Sequence, residues 1–338
     1  MEDLRESEHP GLHRYTEPQG SRALIDAVVD KVRAVNGLPI ERSNVLISAG
    51  ATGALGAAVG MLASPGEEIL ILSPFWPLIR GIVQAFRATA VEVPFYGRVR
   101  SPQEAIGAIQ PYISPRTVGI YVSSPSNPTG LVLPADQLAA IAELAAREDL
   151  WILSDEVYED YVYRGEHCSI ARFAPERTLS AFSFSKAYGM AGNRTGYLIG
   201  PTDALMSCRK VSTHTFYSAP TAGQLAGLRA LQGGGAWLQS ARASYQQAGD
   251  DAADVLGLPR PEGSTFLFLG LSHLLDERGV FGFLEDALDD GLVLAPGPSF
   301  GRGYESFARI CFTSAPPDRV AEAVRRLRRR IGPAKGLS

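Results

Sequence analysis

One lysine, Lys186, stands in a run of residues whose types suit carbonyl chemistry. It lies in SFSKAYGMAGNRTGYLIG at residues 183–200, between two short apolar runs that are typical of strands. The chain has four lysines against 28 arginines, so composition alone does not account for a lysine among Phe182, Phe184 and Tyr188. A desolvated lysine beside cations loses its proton readily and becomes a nucleophile toward carbonyls. From this segment alone, an ordinary surface lysine on a turn is an equal alternative.

Two further polar side chains follow predicted strands. The strand TVGIYVSS ends in PSNPTG, a turn that directs Asn127 outward, and LWILSDEVYEDYVY carries Asp155 where its apolar part ends. The strand TLSAFSF precedes Lys186 in the same way. Ligands of parallel sheets bind at the carboxyl ends of the strands. We therefore expect Asn127, Asp155 and Lys186 to share one site.

The elements around these strand ends alternate between strand and helix. This order predicts an α/β fold whose large domain has a mostly parallel sheet, of the seven-stranded type, flanked by helices. Past a long helix at about 235–256, the strands and helices form a smaller C-terminal α+β domain. We place the boundary near Gly249, which gives a large domain at 1–248, including a short N-terminal segment, and a small domain at 249–338.

The strand NVLISAG runs directly into a glycine-rich turn and an alanine-rich helix. The backbone amides near Ala51 and Thr52 form a helix N-terminus that could hold an anion, although tight packing through small residues explains the pattern equally well. The same GATGALG segment could suggest a nicotinamide-dependent dehydrogenase. That class needs a ribose-binding acid near the end of the second strand, and EILILSP has none there.

Composition excludes several classes of partner. A net charge of −4 offers no general attraction to nucleic acid or anionic membrane, and we interpret RRLRRR at 325–330 as the solvated face of a last helix. Three scattered cysteines, Cys168, Cys208 and Cys311, indicate neither a disulfide framework nor a metal site and fit a reducing cytoplasm. The polar N-terminus lacks the apolar region of a signal peptide, and no apolar run is long enough for a membrane span.

Four motifs, in order, resemble the class I/II aminotransferases, which are pyridoxal-phosphate enzymes of fold type I like aspartate aminotransferase. They are NPTG at 127–130, SDEVYEDY at 154–161, the lysine motif at 183–200 and ARICF at 308–312. The similarity runs from about Tyr15 to the C-terminus. It implies an enzyme that uses pyridoxal 5′-phosphate to move an amino group between an L-amino acid and a 2-oxo acid.

The resemblance also implies roles for residues around the cofactor. Lys186 would form the Schiff base and move the proton at the reacting carbon, and Asp155 would hold the proton of the pyridine nitrogen. Tyr158 and Asn127 would bond the cofactor's 3′-oxygen. The phosphate would be bound by side chains and amides from several segments, namely Ala51, Thr52, Ser183, Arg194 and, from the partner subunit of a homodimer, Tyr15.

The substrate pocket is implied in the same way. Trp76 would stack on the pyridine ring, with Phe75 as a rival one position earlier. Arg309 would clamp the substrate's α-carboxylate, with Asn127 and Trp76 beside it. His214 stands where aspartate-specific members have an arginine for the distal carboxylate, which disfavours strict aspartate specificity. An ordinary loop residue is the alternative for His214.

Other outcomes remain open at the same site. The family usually has some tens of residues before the position of Tyr15, and 14 precede it here, so we expect the arm that closes the pocket to be absent, altered or outside the sequence given. The cofactor's chemistry also serves elimination, cyclisation or oxidation of an amino acid. A non-catalytic ligand sensor is less favoured, because such regulators carry an N-terminal DNA-binding helix-turn-helix for which we expect no room.

Overall fold

A computed structural model of the protein describes residues 8–332. Its large sheet has seven strands in the spatial order β1-β7-β6-β5-β4-β2-β3. Strand β7 is antiparallel to both of its neighbours, and the strands from β6 to β3 pair in parallel. The predicted mostly parallel sheet is therefore confirmed. In chain order, the strands are β1 (Val45–Ser48), β2 (Glu68–Ser73), β3 (Thr89–Pro94), β4 (Thr117–Ser123), β5 (Trp151–Asp155), β6 (Thr178–Ser183) and β7 (Gly196–Ile199).

Helices cover both faces of this sheet, because its central strands carry apolar side chains on both faces and each face must be shielded from water. One face packs against α2 (Gly50–Leu62), α3 (Pro77–Ala85) and α7 (Thr202–Thr215). The other face packs against α1 (Arg22–Lys31), α4 (Pro102–Ile109), α5 (Ala135–Arg147) and α8 (Thr221–Gly233). A single turn of helix, α6 (Phe184–Ala187), follows β6.

The C-terminal part builds a second, antiparallel sheet in the order β8-β10-β9. Its strands are β8 (Phe266–Gly270), β9 (Ala295–Pro296) and β10 (Phe307–Cys311), and its helices are α9 (Gly235–Leu256), α10 (Gly279–Asp289) and α11 (Pro317–Ile331). These elements share a core of their own. The long helix α9 has the predicted bounds, whereas the division of the chain at Gly249 stays a prediction.

Close backbone contacts hold the small sheet over the carboxyl ends of the large one. The amide of Gly263 donates to the carbonyl of Gly130 at 2.9 Å, and the amide of Phe75 donates to the carbonyl of Phe300 at 3.0 Å. Gly130 has a φ of +74°, and a Cβ there would lie 2.8 Å from the carbonyl oxygen of Phe266. Only glycine permits this approach. The contacts bring β10 opposite the ends of β4 and β5.

Within residues 8–332, no helix is long and apolar enough to cross a membrane, and no group of three or more His, Cys, Asp and Glu side chains could hold a metal ion. Residues 1–7 and 333–338 lie outside the described part. The opening segment, for which the sequence predicts no signal peptide, falls mostly among the former.

Candidate functional site

A cavity of about 450 Å³ opens between the strand ends of the large sheet and the small sheet. Its walls come from the start of α2, the segments after β4, β5 and β6, and strands β8 and β10. The predicted site residues that line it together are Ala51, Thr52, Trp76, Asn127, Asp155, Tyr158, Ser183, Lys186, Arg194 and Arg309.

Lys186 lies on α6, directly after the carboxyl end of β6. The hydroxyl of Ser183 caps this short helix by accepting from the amide of Ser185 at 3.0 Å, and the phenol of Tyr161 donates to the carbonyls of Lys186 and Ala187, each at 3.0 Å. The lysine therefore stands on an anchored turn. Desolvation by the cavity walls lowers the pKa of Lys186 below that of an ordinary lysine, and the charges of the nearby arginines act in the same direction.

Asp155 is the last residue of β5 and is 4% exposed. Its Oδ2 accepts a hydrogen bond from the phenol of Tyr121 at 2.6 Å, and its Oδ1 accepts from the amide of Val157 at 3.4 Å. Burial raises the pKa of Asp155 to about 6, and these two hydrogen bonds oppose the rise. At neutral pH the carboxyl group is therefore mostly ionised, although it is buried.

Donors for an anion meet on one side of the cavity. The first turn of α2 contributes free backbone amides at Ala51 and Thr52, and Ser183 and Arg194 line the same wall. The Arg194 guanidinium donates to the carbonyl of Ala191 at 3.0 Å, which fixes its direction. A helix N-terminus with an arginine and hydroxyls fits a phosphate group.

Gly50 makes this arrangement possible. It begins α2 with a φ of +73°, and a Cβ there would lie 2.7 Å from Nη2 of Arg194. The missing side chain leaves a cradle in which the guanidinium crosses the start of the helix. The sequence did not single out this residue, although the glycine-rich turn is the signal for it.

Arg309 enters the opposite side of the cavity from β10. Its Nη1 donates to Oδ1 of Asn127 at 2.9 Å, and its guanidinium carbon lies 4.2 Å from the ring centre of Phe266 and 5.0 Å from that of Phe300. Nε is buried without a hydrogen-bond partner. Burial lowers the pKa of Arg309, yet a guanidinium stays charged at neutral pH. The guanidinium thus keeps its charge between two aromatic rings and has an unused donor at Nε. Such a group suits a carboxylate ligand.

The structure places the two candidate aromatics of the SPFWP segment differently. Trp76 precedes α3 and lines the cavity, whereas Phe75 is fully buried, with its amide bonded to the carbonyl of Phe300. The ring of Tyr158 lines the cavity beside Phe266, with its centre 5.8 Å from Nζ of Lys186. Trp76 is thus the residue placed to contact a ring in the cavity.

Tyr15 and His214 do not line the cavity of their own chain. Tyr15 is 85% exposed and packs edge-on against Tyr217, with ring centres 5.1 Å apart. His214 is exposed in the last turn of α7. Their roles stay predictions, and the role of Tyr15 requires a partner subunit.

Several residues that the sequence did not predict also belong to the site. Ser185, Thr265, Cys311 and Thr313 line the cavity, and Tyr121 holds Asp155 from behind. Tyr121 had a detectable signal, since a tyrosine within a largely buried apolar strand must find a partner for its hydroxyl. Ser185 stands next to Lys186 in the lysine motif, whereas Thr265, Cys311 and Thr313 reach the cavity only because the small sheet packs over the strand ends.

The polar groups that line the cavity fit the functional groups of pyridoxal 5′-phosphate. The helix N-terminus at Ala51 and the Arg194 guanidinium can bind its phosphate. Its aldehyde needs an amine such as that of Lys186, and its ring nitrogen needs a buried carboxylate such as that of Asp155. The unpartnered Nε of Arg309 leaves a donor for a second anion.

Comparisons with known proteins identify the family to which this chain belongs. The family described as aminotransferase class I and II matches residues 1–327. The aspartate/prephenate aminotransferase of Thermus thermophilus is 34% identical over 301 residues, which cover 86% of this chain and 77% of the relative. The arginine–pyruvate transaminase of Pseudomonas aeruginosa is 32% identical over 291 residues, which cover 80% of this chain and 73% of the relative.

Solved structures share the fold. The structure of Thermus thermophilus aspartate aminotransferase with maleate superposes with a TM-score of 0.87 and 31% identity, covering 96% of this chain and 86% of that one. The N-succinyldiaminopimelate aminotransferase of Mycobacterium tuberculosis also has a TM-score of 0.87, with 28% identity over 96% of this chain and 88% of that one.

Proposed function

Because this chain belongs to the class I and II aminotransferases, we propose that the cavity at Lys186 binds pyridoxal 5′-phosphate and carries out the family's transamination there. The protein is an aminotransferase that moves an amino group between an amino acid and a 2-oxo acid. One observation supports this location most strongly. The Lys186 amine, the buried Asp155 carboxylate and the Arg309 guanidinium, which come from three distant segments, all face one cavity.

Each of these groups has a distinct task. When bound, pyridoxal phosphate supplies an electron sink for the bonds at Cα of an amino acid. Asp155 holds a proton at the ring nitrogen, and Lys186, with its lowered pKa, takes and returns the proton at Cα. Arg309 binds the α-carboxylate and so orients the bond that reacts.

The remaining residues hold the cofactor in place. Ala51, Thr52, Ser183 and Arg194 bind its phosphate, and Trp76 contacts its ring. We assign the 3′-oxygen to Tyr158 and Asn127, which both line the cavity. The bond from Arg309 to Asn127 couples the substrate clamp to this cofactor contact.

The amino donor and acceptor are proposed only as an L-amino acid and a 2-oxo acid. The relatives' names span aspartate, prephenate and arginine with pyruvate, so family membership leaves the side chain open. We keep the prediction that strict aspartate specificity is disfavoured, on the presence of His214 instead of an arginine. We further propose a homodimer, because the highly exposed Tyr15 lies outside its own cavity, and a cytoplasmic location, because all three cysteines are free.

Lys186→Ala tests this assignment against Lys210→Ala, a matched change at an exposed lysine on α7 outside the cavity. We expect Lys186→Ala to lose the absorbance of lysine-bound cofactor and to slow transamination by about 10³-fold or more. Lys210→Ala should match the wild type. The assignment is wrong if Lys186→Ala keeps both properties.

A second assay separates transamination from elimination and oxidation. The holoenzyme receives amino acids one at a time, without a 2-oxo acid. We expect one equivalent of 2-oxo acid and conversion of the cofactor to its pyridoxamine form. Continuous ammonia release or oxygen uptake would instead place the enzyme among the alternatives that use the same site.

A further inference from the structure

A tyrosine behind the cavity makes the shortest contact to the carboxylate of Asp155. Tyr121 lies on β4, next to β5 in the sheet, and is fully buried between the sheet and the helices α2 and α3. Its hydroxyl is 2.6 Å from Oδ2 of Asp155. Tyr121 does not line the cavity, so it acts through Asp155 and touches neither cofactor nor substrate.

The direction of this hydrogen bond follows from charge and burial. Burial and the negative charge of Asp155 raise the pKa of Tyr121 well above that of a free tyrosine, so the phenol keeps its proton and donates. The other donor to the carboxylate within the described residues, the amide of Val157, is at 3.4 Å. A short bond to an ionised acceptor is the stronger kind, so Tyr121 is the main partner of Asp155 on the protein side.

Other ionisable groups near Asp155 act in both directions. Glu156, the next residue, makes ionisation of Asp155 harder, and Lys186 across the cavity makes it easier. The phenols of Tyr96 and Tyr158 are also close enough for the charge of Asp155 to affect them. The phenol of Tyr96 instead bonds the backbone of Ser123, and the phenol of Tyr158 bonds the side chain of Thr265. Among residues 8–332, the Tyr121 hydroxyl is therefore the one side-chain donor to Oδ2.

We propose that Tyr121 is a positioning residue of the reaction, which fixes the Asp155 carboxylate and keeps it ionised so that the ring proton stays on the cofactor's nitrogen. This inference rests on the proposed function. With pyridoxal phosphate bound, Asp155 and the ring nitrogen would share one proton, and a hydrogen bond to the charged carboxylate would lower the affinity of Asp155 for that proton. Without the phenol, the carboxyl group competes better for the proton, and a neutral ring is a weaker electron sink.

Tyr121→Phe tests the proposal, because it removes one oxygen and keeps the buried ring. Tyr96→Phe is the matched control, since it also removes a buried hydroxyl near the same strand, but one that bonds the backbone of Ser123. Both variants are prepared as holoenzymes with pyridoxal phosphate labelled with ¹⁵N in the ring. The ¹⁵N chemical shift reports protonation of the ring nitrogen. Single-turnover kinetics with an amino acid report the rate of the half-reaction, which depends on how well the ring withdraws electrons.

We expect Tyr121→Phe to move the ring signal toward the unprotonated position and to lower the maximal rate of the half-reaction by about 10- to 100-fold, the effect of losing one hydrogen bond to a charged group. The substrate concentration at half-maximal rate should change less than about threefold, because Arg309 is untouched. Tyr96→Phe should show the wild-type signal and rate. A wild-type ¹⁵N signal in Tyr121→Phe, or an equal loss in Tyr96→Phe, overturns the proposal.

The same samples separate failure of this inference from failure of the proposed function. If wild-type protein takes up no pyridoxal phosphate at Lys186, the proposed function itself is wrong. If the wild type binds the cofactor and shows a protonated ring while Tyr121→Phe is indistinguishable from it, only the role of Tyr121 is refuted. Denaturant unfolding of each variant shows whether a loss of rate is due to misfolding. In that case, the ¹⁵N signal of the folded fraction decides whether Tyr121 affects protonation of the ring nitrogen.

Discussion

The strongest quantitative prediction concerns the guanidinium of Arg309. Arg309→Lys keeps the positive charge but replaces a planar fork by a point donor, which cannot bond both oxygens of a carboxylate. Losing one charge-assisted hydrogen bond costs about 1.5–3 kcal/mol, which corresponds to about 10- to 150-fold in kcat/KM. The shorter lysine also leaves Asn127 without its bond from Nη1 and gives up the ring contact with Phe266 at 4.2 Å. We therefore expect a loss of about 100-fold.

The assay is the absorbance change of the bound cofactor when single amino acids are mixed with holoenzyme. An amine that lacks the α-carboxylate should react equally slowly with wild type and Arg309→Lys, because neither protein can clamp it. Arg194→Lys is the matched control on the phosphate side, and it should weaken cofactor binding while leaving the amino-acid KM near wild type at saturating cofactor. A loss for Arg309→Lys below about threefold, or an equal loss with the amine, would refute the carboxylate clamp.

Two further predictions concern the cradle and a buried ion pair. Gly50→Ala should displace Arg194 and so weaken pyridoxal-phosphate binding about tenfold. Gly56→Ala is the control in the same helix, with open space around it, and it should stabilise the fold by about 0.5–1 kcal/mol without changing the affinity for the cofactor. Equal affinities of the two variants in a cofactor titration would contradict this prediction. Glu156→Gln should lower the free energy of unfolding by about 3 kcal/mol at pH 6, because it breaks the 2.8 Å pair with His167. Burial by itself lowers the pKa of His167, but the pair with Glu156 outweighs it, and the pKa is raised. The pair's contribution to the free energy of unfolding is therefore complete below the ordinary histidine pKa and falls as the pH rises through the raised pKa of His167. Urea unfolding should show a smaller difference at pH 9 than at pH 6, and a constant difference would exclude the pair as its cause.

Asn127, Asp155 and Lys186 could be grouped from the sequence because each stands at or just after the end of a predicted strand. Parallel strands bring their carboxyl ends to one edge, so residues that follow such strands meet whatever the details of packing. The order of strands β4, β5 and β6 side by side bears this out, and all three residues line the cavity. The helix start at Ala51 could be located in the same way, although its use for an anion needed the resemblance.

Contacts between the two sheets could not be predicted in this way. The pairing of Arg309 with Asn127 joins residues 182 positions apart, and it depends on how the small sheet docks over the strand ends. The choice of Trp76 over Phe75 also depends on tertiary packing, because the Phe75 side chain is buried in the core between the large sheet and the helices α2, α3 and α7. No local pattern distinguishes these two adjacent aromatics.

By itself, the sequence determined the class of fold and the likeness to a cofactor-dependent family, and it singled out Lys186 as the candidate for the reactive amine. These follow from hydrophobic periodicity and from short motifs, which are local properties of the chain. Tertiary structure alone decided what surrounds each reactive group. It gave Asp155 a phenol partner in Tyr121, gave Arg194 its cradle at Gly50, and raised or lowered pKa values through burial. Electrostatic environments depend on distances between segments far apart in the chain, and packing sets those distances.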